Sequence, residues 1–348
     1  MNRYFALLLT LFFSDSLSAQ VETQVPPVEA TAKPVTMERI TIHGPSLEGN
    51  LEGNAVDREA LVFLPPGYAD NPNKRYPVIY ALHGYSIGAQ QWSQEIHVPQ
   101  TIEGAFARGA RDMIVVLPDS KTRHNGSMYS SSVTTGDFEH YVARDVVSYM
   151  DRHYRTIPAR ESRGLVGHSM GGYGAVRIGM KHDDVFSSVY IMSPGLLSAR
   201  GAGEPGELEK IAAAMTSPAE SEGQPFFVRA QLAVAAAWSP NPQNPPLYLD
   251  LPYKDGVLQE DVVAKWAANA PLAFLDQYVS NLKRYRAIAL DIGDADGGLA
   301  GAEQLHELMA ANGIVHDWDV YEGTHTSHVA IRFQNHVMPF FSSHLATE

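Results

Sequence analysis

"GLVGHSMGGYGAV", residues 164–176, sets one serine between an apolar approach and a run of glycines. Residues 164–168 read as a short buried strand, and the residues from Gly171 to Lys181 as a helix. A chain that turns from strand to helix this sharply holds the corner residue in a strained backbone conformation. Side chains at Gly167 and Gly171 would collide with neighbouring backbone, so Gly167-His168-Ser169-Met170-Gly171 fits the G-x-S-x-G pattern of a nucleophile elbow. Such a corner lifts the Ser169 hydroxyl above the sheet. It also puts the Met170 backbone N–H at a helix N-terminus, where it can stabilise negative charge.

The segments around this corner alternate in the same way. Apolar runs at 77–84 (PVIYALHG), 112–120 (DMIVVLPDS), 164–169, 185–194 (VFSSVYIMSP) and 286–294 (RAIALDIGD) predict strands buried on both faces, and 316–323 (HDWDVYEG) is more mixed. Helical spacing fills residues 137–154, 171–181, 301–312 and 327–345. Two earlier segments, 39–43 and 59–64, predict a hairpin or meander that ends at "LPPGY". The fold class expected is α/β, a mostly parallel sheet flanked by helices. Residues 195–285 are far too long for a single crossover, and they predict an inserted helical cap with helices near 207–215, 227–237 and 260–266.

A serine hydroxyl is a weak nucleophile without a base. With an elbow serine the partners follow in the order Ser, Asp or Glu, His. "ALDIGDADGG" (289–298) offers Asp291, Asp294 and Asp296 at a strand end, and strand direction favours the later two. "YEGTHTSHV" (321–329) offers His325 in a loop and His328 at the start of a helix, and a loop histidine swings over a serine more easily. His168 points away at such a corner and orients or packs. The strand ending in His83-Gly84 makes the Tyr85 N–H the natural second donor for an oxyanion. The histidines and aspartates match no strong ligand spacing, so no metal and no cofactor are expected.

Composition bounds the rest. The chain has 348 residues, 45% hydrophobic and 19% charged, which is enough for a large core and too apolar for a disordered chain. It has no cysteine, which excludes disulfides and thiolate catalysis. A formal charge of -13 disfavours nucleic acid and anionic membranes as partners. Residues 1–19 carry Arg3, an apolar run and small residues up to Ala19, the pattern of a signal peptide, and no stretch is long enough for a membrane span. The mature protein is therefore expected to be periplasmic or secreted. Residues 20–38, rich in Pro, Thr and Val, predict a flexible leader before a catalytic domain over 39–348. Oligomeric state is not legible.

"YPVIYALHG" after "LPPGY", then "GHSMGGYGA", "DIGDAD", "EGTH" and "HVMPFF" resemble an esterase branch of the α/β-hydrolases. That branch includes S-formylglutathione hydrolases, feruloyl and acetyl-xylan esterases, enterochelin esterases and mycolyltransferases. The resemblance implies Ser169 as nucleophile, His325 as base and Asp296 as acid, with Asp294 the alternative. It also implies Tyr85 and Met170 as the oxyanion hole. The family's turn often has an aromatic two residues after the histidine, where this chain has Ser327. The expected substrate is a small or aryl carboxylic ester, attached to a carbohydrate in one version. Trp92, Tyr129 and Trp238 are expected at its binding site, and Phe226, Phe227, Tyr248 and Tyr253 are further cap aromatics. An acyltransferase with an alcohol or sugar acceptor, a peptidase and a non-catalytic binding protein are the rival readings.

Overall fold

A computed structural model describes residues 21–198 and 206–347. The signal peptide expected at 1–19 lies outside the described residues. The core is one eight-stranded sheet. Its strands are β1 (Thr36–His43), β2 (Asp57–Leu64), β3 (Val78–Leu82), β4 (Ile114–Pro118), β5 (Arg163–His168), β6 (Ser188–Met192), β7 (Ala287–Gly293) and β8 (Asp317–Tyr321). Their order is β1-β2-β4-β3-β5-β6-β7-β8. β2 pairs antiparallel with both β1 and β4, and every pairing from β4 to β8 is parallel. The chain is thus an α/β protein with a mostly parallel sheet.

Position in the sheet explains the strand compositions. β3, β4 and β6 are buried at every residue, and each is almost wholly apolar. β8 lies at an edge and exposes Asp317, Asp319 and Val320, which is why its sequence looked mixed. Two hydrophobic clusters cover the two faces. One holds Tyr80, Leu82, Phe138, Tyr141, Leu165 and Met170; the other holds Ile79, Ala81, Trp92, Val166 and Phe333. Alternate residues of β3 and β5 thus point to opposite clusters, as the pleat requires.

Two helices between β3 and β4, α1 (Ala89–Glu95) and α2 (Val98–Ala107), bury Trp92 and Ile102 in the second cluster. The predicted helix over 137–154 runs from Phe138 to His153 but widens to a π-helix at Tyr141–Val146. Between β6 and β7, residues 206–286 fold into helices that include Glu207–Ala214, α4 (Phe226–Trp238) and Glu260–Ala268. These pack into the first cluster through Leu232, Trp238, Val262 and Trp266.

Residues 21–35, expected to be flexible, form no helix or strand but are held against the body. Val21 and Pro26 are buried. The Val21 N–H donates to Glu95 Oε2 at 2.9 Å, and the Val35 N–H donates to Glu103 Oε1 at 2.9 Å. Composition predicts only that this segment lacks a period; its backbone is satisfied by side chains of α1 and α2 instead.

The helix that follows Ser169, α3 (Met170–Lys181), is tied to its surroundings by a buried ion pair. Arg177 Nε donates to Glu139 Oε2 at 2.7 Å, and Arg177 Nη1 reaches Tyr173 Oη and Asn269 Oδ1. Burial opposes ionisation of Glu139. Hydrogen bonding from His182 and the charges of Arg177 and Lys181 outweigh it and hold the carboxyl at about 2. Its folded pKa is depressed, so its contribution is present above the ordinary carboxylate range and fades as pH falls from about 4.5 toward about 2. Glu139→Gln should destabilise the fold by about 3 kcal/mol at pH 7, because it strands the Arg177 charge. Urea melts at pH 7 and pH 3 should show the difference narrowing at the lower pH; a constant difference would contradict the ion-pair origin.

Candidate active site

The end of β5 and the start of α3 meet at Ser169, whose φ of 61° and ψ of -116° lie outside the ordinary regions. Such a residue costs about 1–3 kcal/mol and persists only where its surroundings impose it. Two glycines let the backbone approach closely enough to do so. A Cβ on Gly167 would lie 2.0 Å from the Gly171 carbonyl oxygen, and one on Gly171 would lie 2.0 Å from the Leu82 carbonyl oxygen. The corner is braced from β6 as well. The Ser169 N–H donates to Met192 O at 3.2 Å, and the Gly195 N–H donates to Ser169 O at 3.1 Å.

Three side chains from distant parts of the sequence meet above this corner. Ser169 Oγ lies 2.8 Å from His325 Nε2, and His325 Nδ1 lies 2.8 Å from Asp296 Oδ2. Asp296 is buried, and its Oδ1 accepts the Gly298 N–H at 2.7 Å. Burial raises its pKa, but bonding to His325, the His325 charge and the Gly298 N–H together bring it below the usual carboxylate range. The carboxylate therefore accepts the Nδ1–H, and the Nε2 lone pair faces the serine hydroxyl. A hydroxyl, imidazole and carboxylate in this series can move the serine proton onto the ring.

The other acidic candidates do different jobs. Asp294 is exposed and accepts the Gly323 N–H at 3.0 Å, which fastens the turn before His325. Asp291 is buried and pairs with Arg332 Nε at 2.7 Å and with Tyr190 Oη at 2.8 Å. His168 Nε2 lies 2.8 Å from the His325 carbonyl oxygen, so that nitrogen carries the proton and donates. Burial, with His325 beside it, pushes His168 down to about 3, and it stays neutral. It orients the His325 backbone.

The two backbone N–H groups expected to hold an oxyanion belong to residues at this corner. Met170 is the first residue of α3. Tyr85 follows Gly84, where an added Cβ would lie 3.4 Å from Ser169 Cβ. The Tyr85 ring is fixed by its own hydroxyl, which donates to His124 O at 2.9 Å.

The expected substrate-facing aromatics need correction. Trp92 is fully buried on the opposite face of the sheet, against Phe333. Tyr129 is fully buried, and its hydroxyl donates to His83 O at 3.0 Å. Trp238 is buried, with Nε1 donating to Ser130 Oγ at 3.2 Å. Large rings gain most from complete burial, and two of these also find a buried partner for their polar atom. Aromatic count alone does not reveal that. The exposed rings are Phe227, at 76%, and Phe226, at 37%, on the first turn of α4. Phe226 packs edge-on to Tyr85, with ring centroids 5.3 Å apart. Sequence reading missed Ser193, just past β6, whose hydroxyl lies 3.4 Å from Tyr321 Oη and helps to hold the Asp296 carboxyl below its usual range. A Ser-Pro after a strand carries no signal that separates it from an ordinary turn.

Among the described residues no group of three or more His, Cys, Asp or Glu side chains could hold a metal ion, and no helix is long and apolar enough to cross a membrane. A family model described as "Putative esterase" matches residues 55–337, from β2 to beyond His325. The chain belongs to the Esterase family. An endo-1,4-beta-xylanase/feruloyl esterase of Xylanibacter ruminicola is 25% identical over 140 residues, which is 39% of this chain and 19% of that protein. Esterase Rv1288 of Mycobacterium tuberculosis is 26% identical over 130 residues, 36% of this chain and 27% of that one. The matched stretch thus spans about a fifth to a quarter of these relatives. Among solved structures, a ferulic acid esterase superposes with a TM-score of 0.65 at 21% identity, covering 90% of this chain and 99% of that one. An S-formylglutathione hydrolase from Agrobacterium tumefaciens superposes with 0.59 at 15% identity, covering 91% and 98%. These two likenesses bear on the fold, which is that of α/β-hydrolase esterases.

Gly171→Ala should destabilise the protein by about 3 kcal/mol or more, because the new carbon meets backbone that cannot rotate away. Gly297→Ala, with open space around its Cβ position, is the control. Equal urea midpoints for the two variants would contradict the close approach that forms the corner.

Proposed function

We propose that this protein is an exported serine esterase that hydrolyses carboxylic esters through an acyl-enzyme on Ser169. The observation that carries the reading is the unbroken hydrogen-bonded series Ser169–His325–Asp296, at 2.8 Å in each step; the Tyr85 and Met170 N–H groups are the oxyanion donors in this reading. Membership of the Esterase family supports it.

In the first half-reaction Ser169 Oγ attacks the carbonyl carbon and its proton passes to His325 Nε2. The carbonyl oxygen becomes an oxyanion held by the two N–H groups, each worth about 3 kcal/mol by analogy with measured oxyanion donors. The imidazolium is stabilised by the Asp296 carboxylate, which keeps its own charge. Collapse of the intermediate breaks the bond to the alcohol oxygen, and that oxygen takes the proton from Nε2. Water then repeats the sequence on the acyl-Ser169 ester: its proton goes to Nε2, the carboxylic acid is released and Ser169 recovers its hydrogen.

The acyl or alcohol part is an apolar or aryl group. Phe227, left exposed beside Phe226, whose ring packs on Tyr85, supports this. So do neighbouring structures titled as ferulic acid esterases, one of them in complex with ferulic acid. A carbohydrate as the alcohol is consistent with the xylanase/feruloyl esterase relative. Transfer to a sugar hydroxyl would pass through the same acyl-enzyme, and product analysis with and without sugar acceptors separates the two outcomes. Export rests on the leader at 1–19; the N-terminus of the mature protein should begin near Gln20, and an intact cell-associated leader would contradict export.

Ser169→Ala should lower kcat/KM for p-nitrophenyl acetate by at least roughly 10⁴-fold without unfolding the protein. Asp296→Asn should lower it roughly 10³–10⁴-fold through the wrong imidazole tautomer, while Asp294→Asn stays near the native rate. The reverse ranking of the two aspartates would overturn the assignment.

A further inference from the structure

We propose that residues 21–26 are a strap that positions His325, with Thr23 and Gln24 as positioning residues; this rests on His325 being the base. The loop that carries His325 is held on its inner side by His168, which donates to the His325 carbonyl. Its outer side leads directly into α5 (Val329–Arg332), whose N-cap residue His328 provides no side-chain cap. The strap supplies what the loop lacks. The Gln24 N–H donates to Ser327 O at 2.7 Å, and the Ala330 N–H donates to Thr23 Oγ1 at 3.1 Å. Among the described residues these are the two bonds by which backbone groups of 326–330 are tied to distant parts of the chain.

Ala330 is in the first turn of its helix, where N–H groups have no intrahelical acceptor. A threonine hydroxyl meets that need as a local N-cap does, but it comes from the other end of the sequence. The local alternative is occupied: Ser327 Oγ accepts the Thr324 N–H at 2.9 Å and lies 2.8 Å from His328 Nδ1.

The strap is itself fixed, so it can serve as a reference. Val21 is buried in the cluster with Trp92, Val329 and Phe333, and its N–H is held by Glu95. Gln100 Nε2 donates to Pro26 O at 2.6 Å. The two contacts with the loop therefore connect the histidine to α1 and α2. His325 lies two residues from Ser327 and about two fifths of its side chain faces solvent, so after Asp296, His168 and Asp294 the strap adds the restraint on the side of the loop that follows the histidine. A shift of about 1 Å at a reacting group can cost about 100-fold in rate.

The test uses the full chain with p-nitrophenyl acetate and a fluorophosphonate. Thr23→Val keeps the shape and removes the acceptor; Gln24→Pro removes the donor; Thr23→Ser restores the hydroxyl. Thr23→Val and Gln24→Pro should each lower kcat about 10-fold with KM within about twofold, and slow fluorophosphonate inactivation of Ser169 in parallel. Thr23→Ser should return both rates to within about twofold of native, with all unfolding midpoints close to native. Unchanged kcat in the folded Thr23→Val and Gln24→Pro proteins, or a loss that Thr23→Ser does not rescue, overturns the strap alone. A native protein without Ser169-dependent turnover overturns the esterase reading and the strap with it.

Discussion

The site depends on a contact between backbones. Gly167, Gly171 and the end of β3 at Leu82 pass so close that no Cβ fits between them. That approach forces the corner residue to a positive φ and raises its hydroxyl off the sheet. It also brings the end of β3 alongside the hydroxyl, so the Tyr85 N–H follows from the same packing that places Ser169. The raised hydroxyl and the neighbouring backbone N–H groups are therefore not independent features. They are consequences of one parallel pairing, β3 with β5, closed by α3.

Placing the imidazole is a separate problem, because loops lack the ladder that fixes strands. The protein solves it with several modest hydrogen bonds from different directions. Asp296 sets the ring, His168 sets the His325 carbonyl, Asp294 fastens the preceding turn, and residues 23 and 24 hold the following one. Each is worth about 1 kcal/mol, somewhat more where a charge is involved. Together they narrow the positions that a half-exposed histidine can occupy.

What could be read from the sequence follows the strength of each local constraint. Buried parallel strands were legible because both faces are apolar, and the serine corner because only glycine fits there. His325 was legible because it ends a strand in a loop. The choice between Asp294 and Asp296 was not, since two positions at one turn differ only in which way each carboxylate faces. Trp92, Tyr129 and Trp238 are all core, and an aromatic residue in a sequence does not announce its burial. Residues 21–35 have no period, and their order comes from the burial of Val21, from backbone N–H and carbonyl groups and from a threonine hydroxyl, none of which a pattern marks.

The central claim is that the Ser169 hydroxyl is activated by His325. Peptide mapping by mass spectrometry after incubation with a fluorophosphonate tests it directly. The account predicts a phosphonyl group on Ser169 in the native protein and its loss in His325→Ala. Label on another residue, or undiminished label on Ser169 once the histidine is gone, would contradict it.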